Sequence, residues 1–212
     1  MAGIAVNSTG YRHPQVMQAV HKHLDKVWHI CATDFYSEPF SQLLEKLGSL
    51  LPAMGKKRIF VSNSGTEAIE GAMKLARFHT KRHVLMAFHG AFHGRSMGAL
   101  SLTASKVHHR AHFGPLIPGV VHLPFYPNPL KKPQGISDDA YGTWCVENIE
   151  REYFKRMVDP KEVAAIFVEP IQGEGGYIVP PRSFLTGLRQ ICDKNGIMLV
   201  FDEIQTGAGR TG

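Results

Sequence analysis

The sequence predicts an α/β fold in which a mostly parallel sheet is covered by helices on both faces. Two patterns carry that expectation. Short runs of β-branched and aromatic residues are apolar throughout, as strands buried on both faces must be. Between them lie longer segments whose apolar residues recur every three or four positions, the period of an amphipathic helix. With 212 residues, 43% of them hydrophobic, the chain has material for one sizeable core.

The elements follow in chain order. After Pro14, the spacing of Val16, Val20, Leu24, Val27 and Trp28 predicts one face of a helix. Pro39 suits the first turn of a second helix, whose stripe is Leu43, Leu44, Leu47 and Leu50. Arg58-Ile-Phe-Val61 reads as a buried strand. Ser62-Asn-Ser-Gly-Thr66 follows it, and then Ile69, Ala72, Met73 and Ala76 continue at helical spacing. Further strands are expected at 83–88, 119–123, 163–168 and 197–201. A helix from about Asp138 offers Trp144, Cys145, Ile149 and Phe154 to the core. Another starts near Ser183, carries Leu185, Leu188, Ile191 and Cys192, and stops at Asn195-Gly196, where glycine takes the left-handed conformation of a helix end. Residues 115–133 are proline-rich and read as an irregular excursion. Residues 1–55 are expected to form a helical segment leading into a larger domain, 56–212.

Composition removes several classes. Lys and Arg number 24 against 18 Asp and Glu, a net charge of +6, but charged residues make up only 20% of the chain. That argues against a disordered tail, and without Lys/Arg clusters interleaved with aromatics a nucleic-acid module ranks last. No run approaches the roughly 18–20 apolar residues of a membrane helix. The start, Met1 to Asn7, has neither the basic nor the apolar region of a signal peptide. Cys31, Cys145 and Cys192 are odd in number and far apart, so neither a disulfide framework nor a zinc site is expected, and the cytoplasm is the expected compartment. The histidines at 89 and 93, and at 108, 109 and 112, lack a carboxylate or cysteine at ligand spacing, so no metal is expected. Gly207-Ala-Gly-Arg-Thr-Gly212 fits a dinucleotide pattern literally, but it stands five residues beyond a strand with no helix to follow.

In open α/β sheets, ligands bind beyond the carboxyl ends of the strands. This directs attention to Ser62–Thr66, His89–Arg95, Glu169–Gly176 and Asp202–Gln205. The first outlines an anion cradle, where Gly65 permits close approach to amides at a helix start; it is equally an ordinary cap by Ser64 with Glu67 in the first turn. Asp202 ends an apolar strand, and a carboxylate there needs a cationic or protonated partner, either a pyridinium nitrogen or a neighbour such as Arg210. The Phe92 ring is placed either to face a flat cofactor or to cover core.

Together, Ile4–Gly10, Ser62–Ala68, Gly90–Arg95, Val168–Gly176 and Phe201–Gly212 closely resemble the class III, pyridoxal-phosphate-dependent aminotransferases, in particular those acting on 4-aminobutyrate. The resemblance covers the whole chain. It implies the aspartate-aminotransferase-type fold (fold type I), of which this would be most of the large domain, and pyridoxal 5′-phosphate as cofactor. By position it makes Gly65 and Thr66, beside Ser64, ligands of the cofactor phosphate. It makes Phe92 the ring stacked on the pyridine, with His93 flanking it and Ile204 on the other face. Asp202 becomes the partner of the pyridine nitrogen and Gln205 the neighbour of the phenolic oxygen. Arg95 matches the residue that binds a donor's distal carboxylate, Ile4 an apolar wall nearby, and Glu174 the acid that neutralises a second arginine, absent here. The departure is the Schiff-base lysine, which in the family follows the aspartate by a few dozen residues. None of the thirteen lysines occupies an equivalent motif. The expectation is therefore one chain of a two-chain enzyme. A second polypeptide would supply the lysine in a 2+2 assembly, moving the amino group of an ω-amino acid such as 4-aminobutyrate to 2-oxoglutarate. The alternative is a truncated fragment that binds phosphate or cofactor without turnover.

Overall fold

The structure, a computed structural model, describes residues 2–51, 55–124 and 126–211. Two compact units divide at Val61/Ser62. In the first, α1 (Pro14–Leu24) and α2 (Glu38–Leu50) each carry proline in the first turn, where its missing N–H costs nothing. Neither helix buries a residue. The predicted face of α1 ends early: the helix stops at Leu24, so Trp28 lies beyond it and is exposed. The strand expected at Arg58–Val61 does not form. Phe60 and Val61 are exposed, and no ladder among the described residues includes them. An apolar run becomes a strand only where a neighbour takes its N–H and C=O groups.

The second unit begins with α3 (Gly65–Thr80) and is built on β1 (Val84–Phe88), β2 (Val120–Leu123), β3 (Val163–Val168) and β4 (Met198–Phe201). Among the described residues these form one sheet, ordered β2-β1-β3-β4 and parallel throughout. The chain winds outward from β1 to β2, then returns to place β3 on the other side of β1. Strand order thus reverses between β1 and β3, and in open α/β sheets ligands bind beyond the carboxyl ends at such a switch point.

Alternation sorts the strand residues into two cores. On one face Met86, Phe88, Ile166 and Val168 pack with Cys145 and Ile149 of α5 (Asp138–Asn148 and the π-helical turn Ile149–Phe154) and with Phe184, Leu188 and Cys192 of α6 (Arg182–Asn195). Phe88, Tyr126 and Phe184 meet there edge to face, with centroids 5.2–5.7 Å apart. On the other face Leu85, Ala87, Ala165 and Phe167 pack against Ile69, Met73 and Ala76 of α3 and Ala99 and Leu102 of α4 (Met97–Leu102). Helices therefore cover both faces, as expected. Trp144 is not the core residue its spacing suggested. It stays 41% exposed, stacked on Tyr141, because Cys145 and Val146 hold the buried side of α5.

The β4 strand is an edge, with Met198 and Phe201 exposed. The α6 helix ends as predicted, with Gly196 at φ 63°. At the amino ends of the strands, Arg82 Nη1 donates to the carbonyls of Val163, Asn195 and Gly196 at 3.0–3.1 Å, tying the connections into β1, β3 and β4 together. Among the described residues no helix is long and apolar enough to cross a membrane.

Candidate active site

The loops at the carboxyl ends of the strands gather most of the polar residues singled out from sequence. At the start of α3, Ser64 is extended (φ −157°) and its Oγ accepts from the Glu67 amide at 3.4 Å. Glu67 Oε2 accepts from the amide of Asn63, the residue before the cap, at 2.7 Å, which fixes the chain as it enters the helix. The cap does not displace the anion reading. The amides of Gly65 and Thr66 occupy the first helical positions, which have no intrahelical acceptor, and they carry the positive end of the helix dipole.

What Gly65 admits is a side chain of the protein itself. A Cβ at this position would lie 2.9 Å from Ile204 Cγ2. Ile204 is 60% exposed, and its amide donates to Asp202 Oδ1 at 3.1 Å. One residue therefore links the helix start to Asp202. The Asp202 backbone is fixed in turn by its amide, which donates to the Val168 carbonyl at 2.8 Å.

Asp202 is 8% exposed, and a carboxylate so placed needs a partner. That partner is His93: Nδ1 stands 2.8 Å from Asp202 Oδ2, and the imidazole is wholly buried. Arg210, the neighbour considered from sequence, instead donates to the Gly207 carbonyl. The His93 amide donates to Thr103 Oγ1 at 2.9 Å, and its ring meets Phe167 edge-on. Its Nε2 has no hydrogen-bond partner among the described residues. With Nδ1 donating to the carboxylate, Nε2 carries a lone pair, so the buried ring faces the core with its less demanding atom.

Phe92 is half-buried, with the His109 ring edge-on at 5.2 Å. Its amide donates to Glu169 Oε1 at 2.8 Å, while Glu169 Oε2 accepts from the Gly173 amide at 2.9 Å. Glu169 thereby ties the loop after β1 to the loop after β3 across the switch point. Burial pushes its carboxyl above the usual range, against the pull of those two amides. The sequence placed Glu169 only within a segment of interest. Gln205 reaches the same loop, its side-chain amide oxygen packed against Gly173 where a Cβ would displace it.

The residues assigned to substrate are less gathered. Arg95 is exposed. Glu174 pairs not with Arg95 but with Lys106, at 2.5 Å, and that ammonium pulls its carboxyl below the usual range. Ile4 belongs to the first unit and is exposed there. Among the described residues no group of three histidines, cysteines or carboxylates is arranged to hold a metal ion. Burial and the nearby Arg110 push the His122 imidazole down to about 4. The glycine-rich stretch from Gly207 forms turns rather than a strand-to-helix junction, and its last residue, Gly212, lies outside the described residues.

The chain matches the class-III aminotransferase family over residues 1–212. It is 43% identical over 211 residues to a 5-aminovalerate aminotransferase of Pseudomonas putida, covering 99% of this chain and 47% of that protein. It is 42% identical over 210 residues to a 4-aminobutyrate aminotransferase of Escherichia coli, with the same coverage of each. The chain therefore spans about half the length of the curated relatives it matches. A solved taurine:2-oxoglutarate aminotransferase from Bifidobacterium kashiwanohense, in complex with PLP and glutamate, superposes with a TM-score of 0.83 at 28% identity, over 93% of this chain and 44% of its own.

Proposed function

This chain belongs to the class-III aminotransferases, and from that premise we propose that its second unit is the cofactor-holding part of a pyridoxal-phosphate-dependent transamination site. The fold is the one that solved PLP-dependent transaminases share, as the resemblance implied. One observation carries the proposal. The capped start of α3, suited to an anion, is joined through Ile204 to a buried carboxylate at the end of β4, so a phosphate and a protonated ring nitrogen would find complementary partners at the same end of the sheet.

When bound, pyridoxal phosphate supplies an electron sink that acidifies the substrate carbon. The chain's own residues do the rest. The amides of Gly65 and Thr66, beside the Ser64 cap, take the phosphate. Asp202 would partner the ring nitrogen, with His93 holding the carboxylate. Phe92 and Ile204 would pack against the ring, and Gln205 would stand near its phenolic oxygen. Arg95 offers a planar guanidinium, suited to a distal carboxylate in a way a lysine is not. An ω-amino acid is therefore the proposed donor, 4-aminobutyrate or 5-aminovalerate by the names of the relatives, with 2-oxoglutarate as acceptor. Ile4 is the proposed apolar wall for that donor. Glu174 is the acid that responds to the acceptor's second carboxylate.

The lysine that moves the proton comes from outside these 212 residues. Lys106 is engaged with Glu174 and Lys194 with Glu150. No lysine among the described residues bonds to His93 or Asp202. We propose a second, cytoplasmic polypeptide bearing it, in an assembly of two copies of each chain, with the exposed β4 edge as the surface to be paired. Mass and transaminase activity, measured for this chain alone and with its genomic neighbour, test the arrangement. Activity only in the mixture supports it. Activity from one longer polypeptide replaces it, and cofactor binding without turnover in every mixture leaves the fragment reading.

A further inference from the structure

The loops that meet at the switch point are joined by more than Glu169. Gln172, only 2% exposed, donates from Nε2 to the His89 carbonyl at 3.0 Å. Its backbone pairs with Ile178: the Gln172 amide donates to the Ile178 carbonyl at 3.1 Å, and the Ile178 amide to the Gln172 carbonyl at 3.0 Å. That bridge closes residues 173–177 into a turn. The hydroxyl of buried Tyr126 faces both ends of the loop, 3.1 Å from the Glu169 carbonyl and 3.4 Å from that of Ile178. Glu169 and Gln172 together hold Phe92 by its amide and His89 by its carbonyl, with only Gly90 and Ala91 between the two anchors.

Glycine is required where the loops touch. A Cβ on Gly175 would lie 2.5 Å from Gln172 Oε1 and 2.9 Å from the Gly90 carbonyl oxygen. One on Gly90, whose φ is +85°, would lie 2.7 Å from the same Oε1. Any side chain at either place forces the loops apart.

Chain order decides which residues depend on this clasp. Phe92 is an anchor on one side, and Glu174 follows the anchored Gly173 on the other. We infer that Gln172 is a positioning residue: by clasping the loop after β1 to the loop after β3, it fixes where Phe92 and Glu174 stand relative to each other. So deeply buried, Gln172 offers no surface to a ligand and acts through these two backbones. The inference rests on the cofactor reading above for the tasks of Phe92 and Glu174, and on the hydrogen bonds alone for the clasp.

The test uses the 212-residue chain, with amide hydrogen exchange in the absence of ligand and calorimetric titration with pyridoxal phosphate and with inorganic phosphate. Gln172→Met keeps the bulk and removes the donor to His89. Exchange protection at the Phe92 and Gly173 amides should then fall about tenfold, while the strand amides of Met86 and Ile166 keep theirs. Pyridoxal phosphate should bind about three- to tenfold more weakly, because its ring loses a fixed neighbour. Inorganic phosphate, which the cofactor reading places at the start of α3, should bind as in the wild type. Should Gln172→Met not fold, Glu169→Gln strikes the other anchor. Its one remaining oxygen serves one amide, so protection should fall at either Phe92 or Gly173. Unchanged protection at both amides, in either variant, overturns the clasp. Losses that reach the strand amides and weaken both probes alike mean that Gln172 serves the fold only, and overturn the positioning role. A local loss that leaves pyridoxal phosphate binding unchanged overturns it too. If the wild type takes up no pyridoxal phosphate while the local loss is seen, the clasp is upheld and the cofactor reading fails instead.

Discussion

Replacing Asp202 with asparagine separates what the carboxylate does for the fold from what it does for the cofactor. The wild-type side chain accepts twice, from the Ile204 amide at 3.1 Å and from His93 Nδ1 at 2.8 Å. Asparagine keeps the shape and one oxygen. With that oxygen toward Ile204, its amide nitrogen faces His93, and the imidazole answers by changing tautomer: Nδ1 accepts and the proton moves to Nε2. The cost is that Nε2, buried and without a partner among the described residues, now carries an N–H in place of a lone pair. An unmet buried donor costs about 1–3 kcal/mol, and removal of the buried negative charge at Asp202 offsets part of it. We therefore expect a net loss near 1 kcal/mol in urea unfolding. The cofactor should suffer more. A charge-assisted hydrogen bond to the ring nitrogen is worth about 1.5–3 kcal/mol, which is roughly ten- to a hundredfold in affinity or rate. Nitrogen-15 spectra of His93 would report the tautomer change directly. Wild-type transamination by the assembled Asp202→Asn enzyme would sink the assignment of the ring-nitrogen partner. A stability loss well above 3 kcal/mol would show instead that the carboxylate is chiefly structural.

Three further outcomes are expected. Gly65→Ala puts a methyl 2.9 Å from Ile204, so that side chain must swing away; we expect a cost of about 1–3 kcal/mol in unfolding and weaker cofactor retention, whereas wild-type values for both would mean that the contact yields freely. Burial raises the Glu169 carboxyl above its ordinary 4.5, so the native state holds that proton more tightly than the unfolded chain does. The associated stability is complete below the unfolded value and is lost as pH rises through the folded one; Glu169→Gln should remove that decline from a pH series of urea melts, and an unchanged profile would contradict the shift. Arg95→Ala should weaken ω-amino acid donors by about tenfold while sparing simple amines, and equal losses for both donor types would refute its role.

The sequence reading succeeded where the information is local. Apolar runs located β1 to β4, Asn195-Gly196 located the end of α6, and Ser64 with Glu67 in the first turn announced the cap of α3, because each depends on neighbours within a few positions. It was blind where a partner comes from afar. Arg58–Val61 has the composition of a strand but lacks a neighbour, and no local pattern records that. His93 was expected beside a ring and proved to be the partner of Asp202, 109 positions away. Glu169 seemed one polar residue among several until its two oxygens were seen to bridge two loops. Resemblance to a family supplied the candidates for the site, whereas their mutual bonds emerged only from three-dimensional proximity.

The guanidinium of Arg82 has a consequence beyond its own hydrogen bonds. By drawing carbonyls from the connections into β3 and β4 onto its own connection into β1, it sews the amino-terminal hem of the sheet shut. The opposite margin is therefore relieved of holding the strands in order. Its loops are free to be rich in glycine, to bury a carboxylate and an imidazole, and to exchange one side chain for another. Anchorage and the proposed chemistry occupy opposite rims of the same sheet, so substitutions on the carboxyl-end rim need not unpick the scaffold beneath.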